Sequence, residues 1–357
     1  MNARIKIGIV GGGMVSQIAH LPFYLADQRC EVVAVAESRP SLVRHLTDTL
    51  RVKRVVTDHH VLLDDPSISA VIIIAPRPAT GPLALSAIEA GKDVMVEKPL
   101  VHTFQQATKL VNIAAARNKL LGVAFMKRYD PGVQVAKQEL DRLVSSGVLG
   151  KLLLARFYDY ARDYAHPPPP HKRPDESRPV RFETWPSSPD WLSRKRADDY
   201  AWFMNAASHD INLLTYFFPV NELRLVYAGS PIEGGLTATF EADRTPVVFE
   251  LAKSASGEWL QGAEFIFEKG RLRLEIPSPM AVDRVGRVRI DENCGVAGLR
   301  ELSVRNTWSF KCQAHAFVGN LLERQQPLTN GVDAMNDLRL IEEIWHRIES
   351  TDAKHVH

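Results

Sequence analysis

The sequence predicts an α/β domain built on a doubly wound parallel sheet, followed by an α+β domain with a largely antiparallel open sheet. Three observations carry that expectation. The first third alternates short, continuous apolar runs with helical patterns, a glycine cluster sits between the first run and the first helix, and after about residue 126 apolar and polar residues begin to alternate. Continuous apolar runs are how strands covered on both faces look, whereas alternation marks strands with one wet face.

The early runs are Ile5–Val10, Val32–Ala36, Ala70–Ala75, Asp93–Val96 and Leu120–Met126, with helical patterns at Ser41–Leu50, Leu83–Ala90 and Phe104–Asn118 between them. Such alternation implies right-handed crossovers and a parallel sheet, here assigned to residues 1–126. In residues 127–357 the strand patterns are Leu152–Tyr158, Leu223–Tyr227, Leu236–Phe240, Val247–Leu251, Ala263–Phe267, Arg271–Ile276 and Val282–Ile290, and Lys269-Gly270 reads as a tight hairpin turn. Leu338, Ile341, Ile344, Trp345 and Ile348 form one apolar face of a final helix, over about residues 332–350. Between Tyr158 and the helix near residue 209 lie His166, Pro167 to Pro170, His171 and a mixed-charge run to Glu183. Four consecutive prolines favour an extended polyproline conformation, and both a surface excursion and a substrate-side loop fit.

A chain of 357 residues exceeds what one small core needs, which agrees with two domains. With 45% hydrophobic residues, 24% charged residues and a net charge of +2, nothing argues for nucleic acid or a membrane surface as partner. Cys30, Cys294 and Cys312 are too widely spaced for a zinc half-site or a redox dithiol. No apolar run approaches the roughly 20 residues of a membrane span, and a strand pattern begins within a few residues of Met1, so a cytosolic location is expected. His20, His45, His59, His60 and His315 show no metal-like grouping, and no metal is expected; adjacency makes it hard for His59 and His60 to face one ion.

Ile5–Val10 runs into Gly11-Gly12-Gly13-Met14-Val15-Ser16 and then a helical pattern, the strand–turn–helix context of a dinucleotide fingerprint in a Rossmann domain. Gly11 allows the tight turn, and Gly13 lets a pyrophosphate approach the backbone, where the N–H groups of Met14, Val15 and their neighbours receive its charge. The third glycine position holds Ser16. The second strand ends at Ala36-Glu37-Ser38-Arg39, where Glu37 suits the ribose hydroxyls of NAD and Arg39 would suit the extra phosphate of NADP. NAD is the expected cofactor and NADP the other candidate. After the strand ending at Ala75 comes Pro76, a turn former. After the strand ending at Val96 come Glu97 and Lys98, at the sheet edge where ligands bind, with an ammonium suited to an oxygen that gains charge.

The glycine fingerprint, Glu97-Lys98-Pro99 and Ser208-His209-Asp210-Ile211-Asn212-Leu213-Leu214 together resemble the Gfo/Idh/MocA family of oxidoreductases, which includes glucose–fructose oxidoreductase and inositol dehydrogenases. Ala87-Ile88-Glu89-Ala90-Gly91-Lys92-Asp93-Val94, Arg128-Tyr129-Asp130-Pro131 and the terminal helix, which in the family returns toward the nucleotide domain, extend the resemblance over nearly the whole chain. It implies that Lys98 contacts the substrate oxygen and the nicotinamide end, that Glu97 lines the cofactor, and that His209 is the acid–base or substrate-orienting group. Where the family often has an aspartate four residues before that histidine, this chain has Asn205, which cannot take up a proton and is left to orient. Arg77 and Thr80 stand where the family commonly shows asparagine and histidine. Arg128, at the domain junction, is a further candidate substrate contact.

The implied activity is hydride transfer between a nicotinamide and a secondary alcohol or ketone of a sugar, sugar derivative or cyclitol, with the substrate between the nicotinamide and the antiparallel sheet. The resemblance also implies a homodimer or homotetramer. Two other readings are a redox-assisted glycosidase or lyase that recycles its NAD, and a non-catalytic regulator that senses a dinucleotide.

Overall fold

The computed structural model describes residues 4–160, 168–178, 181–229, 234–253, 259–292 and 298–354, so His166, Pro167 and Cys294 lie outside the described residues. The chain forms two compact units. The first comprises residues 1–125, 168–189 and 310–338, and the second residues 126–167, 190–309 and 339–357. The first thus takes in two segments that a single cut at residue 126 leaves in the second. One holds the proline-rich excursion from Pro168 onward; the other includes the start of the last helix.

In the first unit, β1 (Ile5–Val10), β2 (Cys30–Ala36), β3 (Val55–Val56), β4 (Ala70–Ile73), β5 (Asp93–Val96) and β6 (Leu121–Val123) form one sheet in the order β3-β2-β1-β4-β5-β6. Every pairing is parallel. Helices α1 (Leu21–Ala26), α2 (Pro40–Asp48), α3 (His60–Leu63), α4 (Arg77–Glu89) and α5 (Phe104–Ala116) supply the crossovers. The sheet order reverses beside β1, and a ligand crevice lies outside the carboxyl ends of strands at such a point. β3 is only two residues long, too short to leave a periodic signal.

The α4 helix begins at Arg77, earlier than its apolar pattern suggests, because Pro76 caps it and Pro82 sits inside. Pro82 has no N–H for the carbonyl four residues back. That carbonyl, Pro78 O, accepts instead from Trp185 N at 2.9 Å. A Cβ at Gly81 would fall 2.5 Å from the Trp185 ring, so the Gly81-Pro82 pair is what lets residues 168–189 dock there. The outer edge of β6 is covered too: Thr329 and Val123 exchange hydrogen bonds, with Val123 N donating to Thr329 O at 2.8 Å and Thr329 Oγ1 to Val123 O at 2.6 Å.

In the second unit, α6 (Pro131–Ser146) precedes β7 (Leu152–Asp159). Helices α7 (Ala197–Ala206) and α8 (Ser208–Phe217) lead into β8 (Leu223–Ala228), β9 (Gly235–Ala242), β10 (Thr245–Ala252), β11 (Gln261–Phe267), β12 (Gly270–Glu275), β13 (Arg287–Glu292) and β14 (Leu299–Glu301). The sheet order is β14-β13-β12-β11-β7-β10-β9-β8. All pairings are antiparallel except β7 with β10. The hairpin between β11 and β12 turns on Glu268-Lys269, with Gly270 already paired to Phe267. Gly270 is needed for close approach, since a Cβ there would lie 2.2 Å from Asp291 O. One sheet face is apolar, with Phe157 against Phe217 and Phe265. The other carries cross-strand ion pairs such as Arg156–Glu250 at 2.8 Å and Arg273–Glu264 at 2.7 Å. Partly exposed pairs of this kind add modest stability each.

Helix α9 (Ser309–Glu323) returns the chain to the first unit, where Ala314, Phe317, Val318 and Leu321 enter the core with Ile7, Ile9 and Ile72. Burying a side chain the size of Phe317 stabilises by about 2–3 kcal/mol. Helix α10 (Gly331–Lys354) follows, and its residues up to Leu338 cluster with the first unit. Cys30 is a buried free thiol, and burial pushes it up to about 11. Among the described residues no helix is long and apolar enough to cross a membrane.

Candidate active site

The first unit's site begins at the loop after β1. Gly11 has φ +102°, and a Cβ there would sit 2.0 Å from Ile74 O, so only glycine fits. A Cβ on Gly12 would strike Leu46 at 2.7 Å, whereas one on Gly13 would meet only Arg39 Nη2 at 3.7 Å. The crest of the loop is therefore bare backbone leading into helical Met14 and Val15, which fits the pyrophosphate of a dinucleotide. Ser16, at the third fingerprint position, is fully buried and opens a π-helical turn ahead of α1.

Glu37 follows β2 and is 1% exposed. Its Oε2 accepts from Gly12 N at 2.9 Å and from Arg39 Nη2 at 2.7 Å. Its Oε1 accepts from Arg39 N at 3.0 Å and Arg39 Nε at 2.8 Å. Burial alone would raise its pKa, but the hydrogen bonds from Arg39 and Gly12 and the nearby Arg178 charge outweigh it, leaving Glu37 below the usual carboxylate range. The sequence places Glu37 and Arg39 side by side as rival signals for NAD and NADP; the structure joins them as one ion pair.

At the end of β5, Glu97 N donates to Ile73 O at 2.9 Å. The Glu97 carboxylate accepts from Lys98 N at 3.0 Å through Oε2 and meets His20 Nε2 at 2.7 Å through Oε1. His20 is 1% exposed and packs on Tyr24 and Phe310. Lys98 is half-buried and precedes a cis-proline. Sequence reading missed His20, whose one local signal is its place on the helix after the glycine loop. Pro76 is exposed at the N-cap of α4, and Arg77 beside it is exposed as well.

His102, four residues after Lys98, also escaped notice. It is 4% exposed, and burial, with the Arg77 charge adding, pushes its imidazole down to about 4. A histidine so depressed stays neutral in the folded chain while the unfolded chain takes up a proton near pH 6.5. Stability from this group is therefore present above pH 6.5 and lost as pH falls toward 4, by about 3 kcal/mol in all. Denaturant unfolding should show a smaller acid loss for His102→Gln than for the wild type; parallel profiles would refute the assignment.

In the second unit, Asn205 lies in the last turn of α7 and His209 in the first turn of α8, both half-buried. The joint at Ala207 keeps helical dihedrals, and Ile211 N donates to Ala207 O at 2.9 Å. The two side chains thus remain about one turn apart, across two helices. Arg128 is 4% exposed and commits its guanidinium to α8: Nε and Nη2 donate to Asn212 O at 3.0 and 2.7 Å, and Nη2 to Thr215 Oγ1 at 3.0 Å. That geometry braces the helix carrying His209. Asp210, next to His209, lies 4.0 Å from Lys127 Nζ and accepts from Gln261 Nε2, which also donates to Asp159 at 3.1 Å. No sequence motif marks this buried network, because its members come from four separate segments.

Among the described residues Asp58, His59 and His60 bring three potential ligand atoms within 4.8 Å of one another, closer than adjacency led one to expect. His60 bonds to Asp58 at 2.8 Å, while His59 packs edge-on against Phe182.

Residues 5–125 match the model of an oxidoreductase family with an NAD-binding Rossmann fold, GFO_IDH_MocA. An inositol 2-dehydrogenase of Acidothermus cellulolyticus is 32% identical over 152 residues, 42% of this chain and 43% of that enzyme. A levoglucosan dehydrogenase of Pseudarthrobacter phenanthrenivorans is 27% identical over 172 residues, 46% of this chain and 43% of that enzyme. The chain thus aligns with less than half the length of these curated relatives. The crystal structure of an NAD binding oxidoreductase from Klebsiella pneumoniae has a similar fold, with a TM-score of 0.75 at 18% identity over 98% of each chain.

Proposed function

We propose that the chain, whose residues 5–125 match the GFO_IDH_MocA family model, is a nicotinamide-dependent dehydrogenase or reductase acting on a secondary alcohol or ketone of a sugar, sugar derivative or cyclitol. The observation that carries this reading is the glycine cradle after β1, whose Gly12 N–H is tied to the buried Glu37 carboxylate. Named relatives such as the inositol and levoglucosan dehydrogenases support the substrate class.

In this mechanism the bound nicotinamide supplies the hydride acceptor or donor. Lys98 donates a hydrogen bond to the substrate oxygen as it gains negative charge. His209 takes the hydroxyl proton, which an imidazole does near neutral pH. Asn205 orients, Arg128 holds α8 in place, and the Glu97–His20 pair fixes the backbone at Lys98. The reverse reaction uses the same groups.

The test is a nucleotide titration of the purified chain, followed by sugars, inositols and glycosides read by nicotinamide absorbance and product mass. Binding of NAD or NADP with turnover of a polyol is expected; cleaved glycoside without net absorbance change would favour a redox-assisted lyase. Glu37→Ala should weaken NAD binding by about 2–4 kcal/mol at most, the worth of two hydrogen bonds to a charged acceptor. Unchanged NAD affinity in that variant would remove Glu37 from the site.

A further inference from the structure

Residues 168–178 and 181–189 run along the first unit as a strap, and its early part meets the groups that frame the adenosine end of the dinucleotide site. Lys172 and Gln17 exchange two hydrogen bonds, Lys172 N donating to Gln17 Oε1 at 2.9 Å and Gln17 Nε2 to Lys172 O at 3.0 Å. Gln17 Nε2 also donates to Gly12 O at 2.8 Å, which ties the strap to the glycine loop. Arg178 Nη1 comes within 3.8 Å of Glu37 Oε1. Glu176 Oε1 accepts from Ser41 N at 2.7 Å, in the first turn of α2.

NAD and NADP differ by one phosphate on the adenosine ribose. Such a dianion needs an uncommitted cation or a free N–H near the end of β2. Among the described residues, the two guanidiniums at Glu37 and the first N–H of α2 are already engaged. Arg39 is forked onto Glu37 through its side chain, and Arg178 faces the same carboxylate. Pro40 opens α2 without an N–H, and the N–H of Ser41 is filled by Glu176. Asp175 adds no net charge, because Lys172 pairs with it at 2.7 Å. The two guanidiniums and two carboxylates cancel. A neutral ribose diol can trade hydrogen bonds with Arg39 on Glu37 without moving charge, whereas a phosphate must settle beside two carboxylates.

Resting on the dinucleotide-binding reading above, we infer that Glu176 of the strap is a specificity-determining residue: it occupies the anion position at the start of α2 and makes the site selective for NAD over NADP. The role extends to a segment outside the nucleotide fold's own contiguous sequence.

The experiment is calorimetric titration of the full chain with NAD and with NADP, for the wild type, Glu176→Gln and Glu176→Lys. The wild type should bind NAD at least about tenfold tighter than NADP. Removing one unit charge should tighten NADP by about tenfold and leave NAD within about twofold, with Glu176→Lys moving NADP further the same way. A purely structural cap on α2 would instead weaken both nucleotides together, alongside a fall in Tm. NADP bound as tightly as NAD by the wild type overturns the inference, as does an unchanged ratio in both folded variants. If the wild type binds neither nucleotide, the dinucleotide reading itself falls and takes this one with it.

Discussion

Lys98→Ala should lower turnover by about 10²–10⁴-fold while dinucleotide affinity stays within about an order of magnitude. The size of the effect follows from what an ammonium does for an oxygen whose charge develops only in the transition state. The small effect on binding follows from how the loop is held. Glu97 receives the Lys98 backbone N–H at 3.0 Å and meets His20 at 2.7 Å, and Glu97 N is bonded to Ile73 O. None of these three contacts uses the lysine side chain, so all three survive its truncation. Stopped-flow turnover and a separate nucleotide titration measure the two quantities independently. Near-normal turnover in a folded variant would defeat the assignment, and a collapse of nucleotide binding would make Lys98 a cofactor ligand first.

His209→Ala should lower turnover by at least about 10²-fold and remove the ascending acid limb of the pH–rate profile. Asn205→Ala should cost less and keep that limb, because an amide does not titrate. Asn205→Asp should preserve activity and raise the apparent pKa of the histidine, since a carboxylate about one turn away favours imidazolium. The variants are readable because side chains other than His209 also hold α8. Arg128 grips Asn212 O and Thr215, and Asp210 is held by Gln261. A full acid limb in His209→Ala would shift the proton acceptor to another group, with Lys98 first in line. Equal damage from Asn205→Ala and His209→Ala would show the pair acting as one unit.

Much of the architecture was legible in order of sequence. Ile5–Val10 and Asp93–Val96 were readable as strands to the residue, because a short apolar run bounded by polar punctuation reports burial locally. The glycine loop was legible because Gly11 answers a backbone demand, φ +102° with no room for a Cβ, that no other residue meets. Even the docking point of the strap had a local sign, the Gly81-Pro82 pair inside α4. It went unread because an orphan carbonyl at Pro78 means nothing until Trp185 arrives.

What the sequence determined by itself was therefore most of the longer strands and helices, the dinucleotide cradle and the residue types fit for the chemistry. The tertiary structure alone decided the partners: the parallel pairing of β7 with β10, the His20–Glu97 contact, the Lys127–Asp210–Gln261 network, and the strap that brings Glu176 and Arg178 to the start of α2 and to Glu37. The physical reason is range. Periodicity and turn chemistry act over a few residues and leave a mark there. Contacts between residues more than a hundred positions apart, such as Ser41 with Glu176, arise only when packing and charge neutralisation are settled for the whole unit at once.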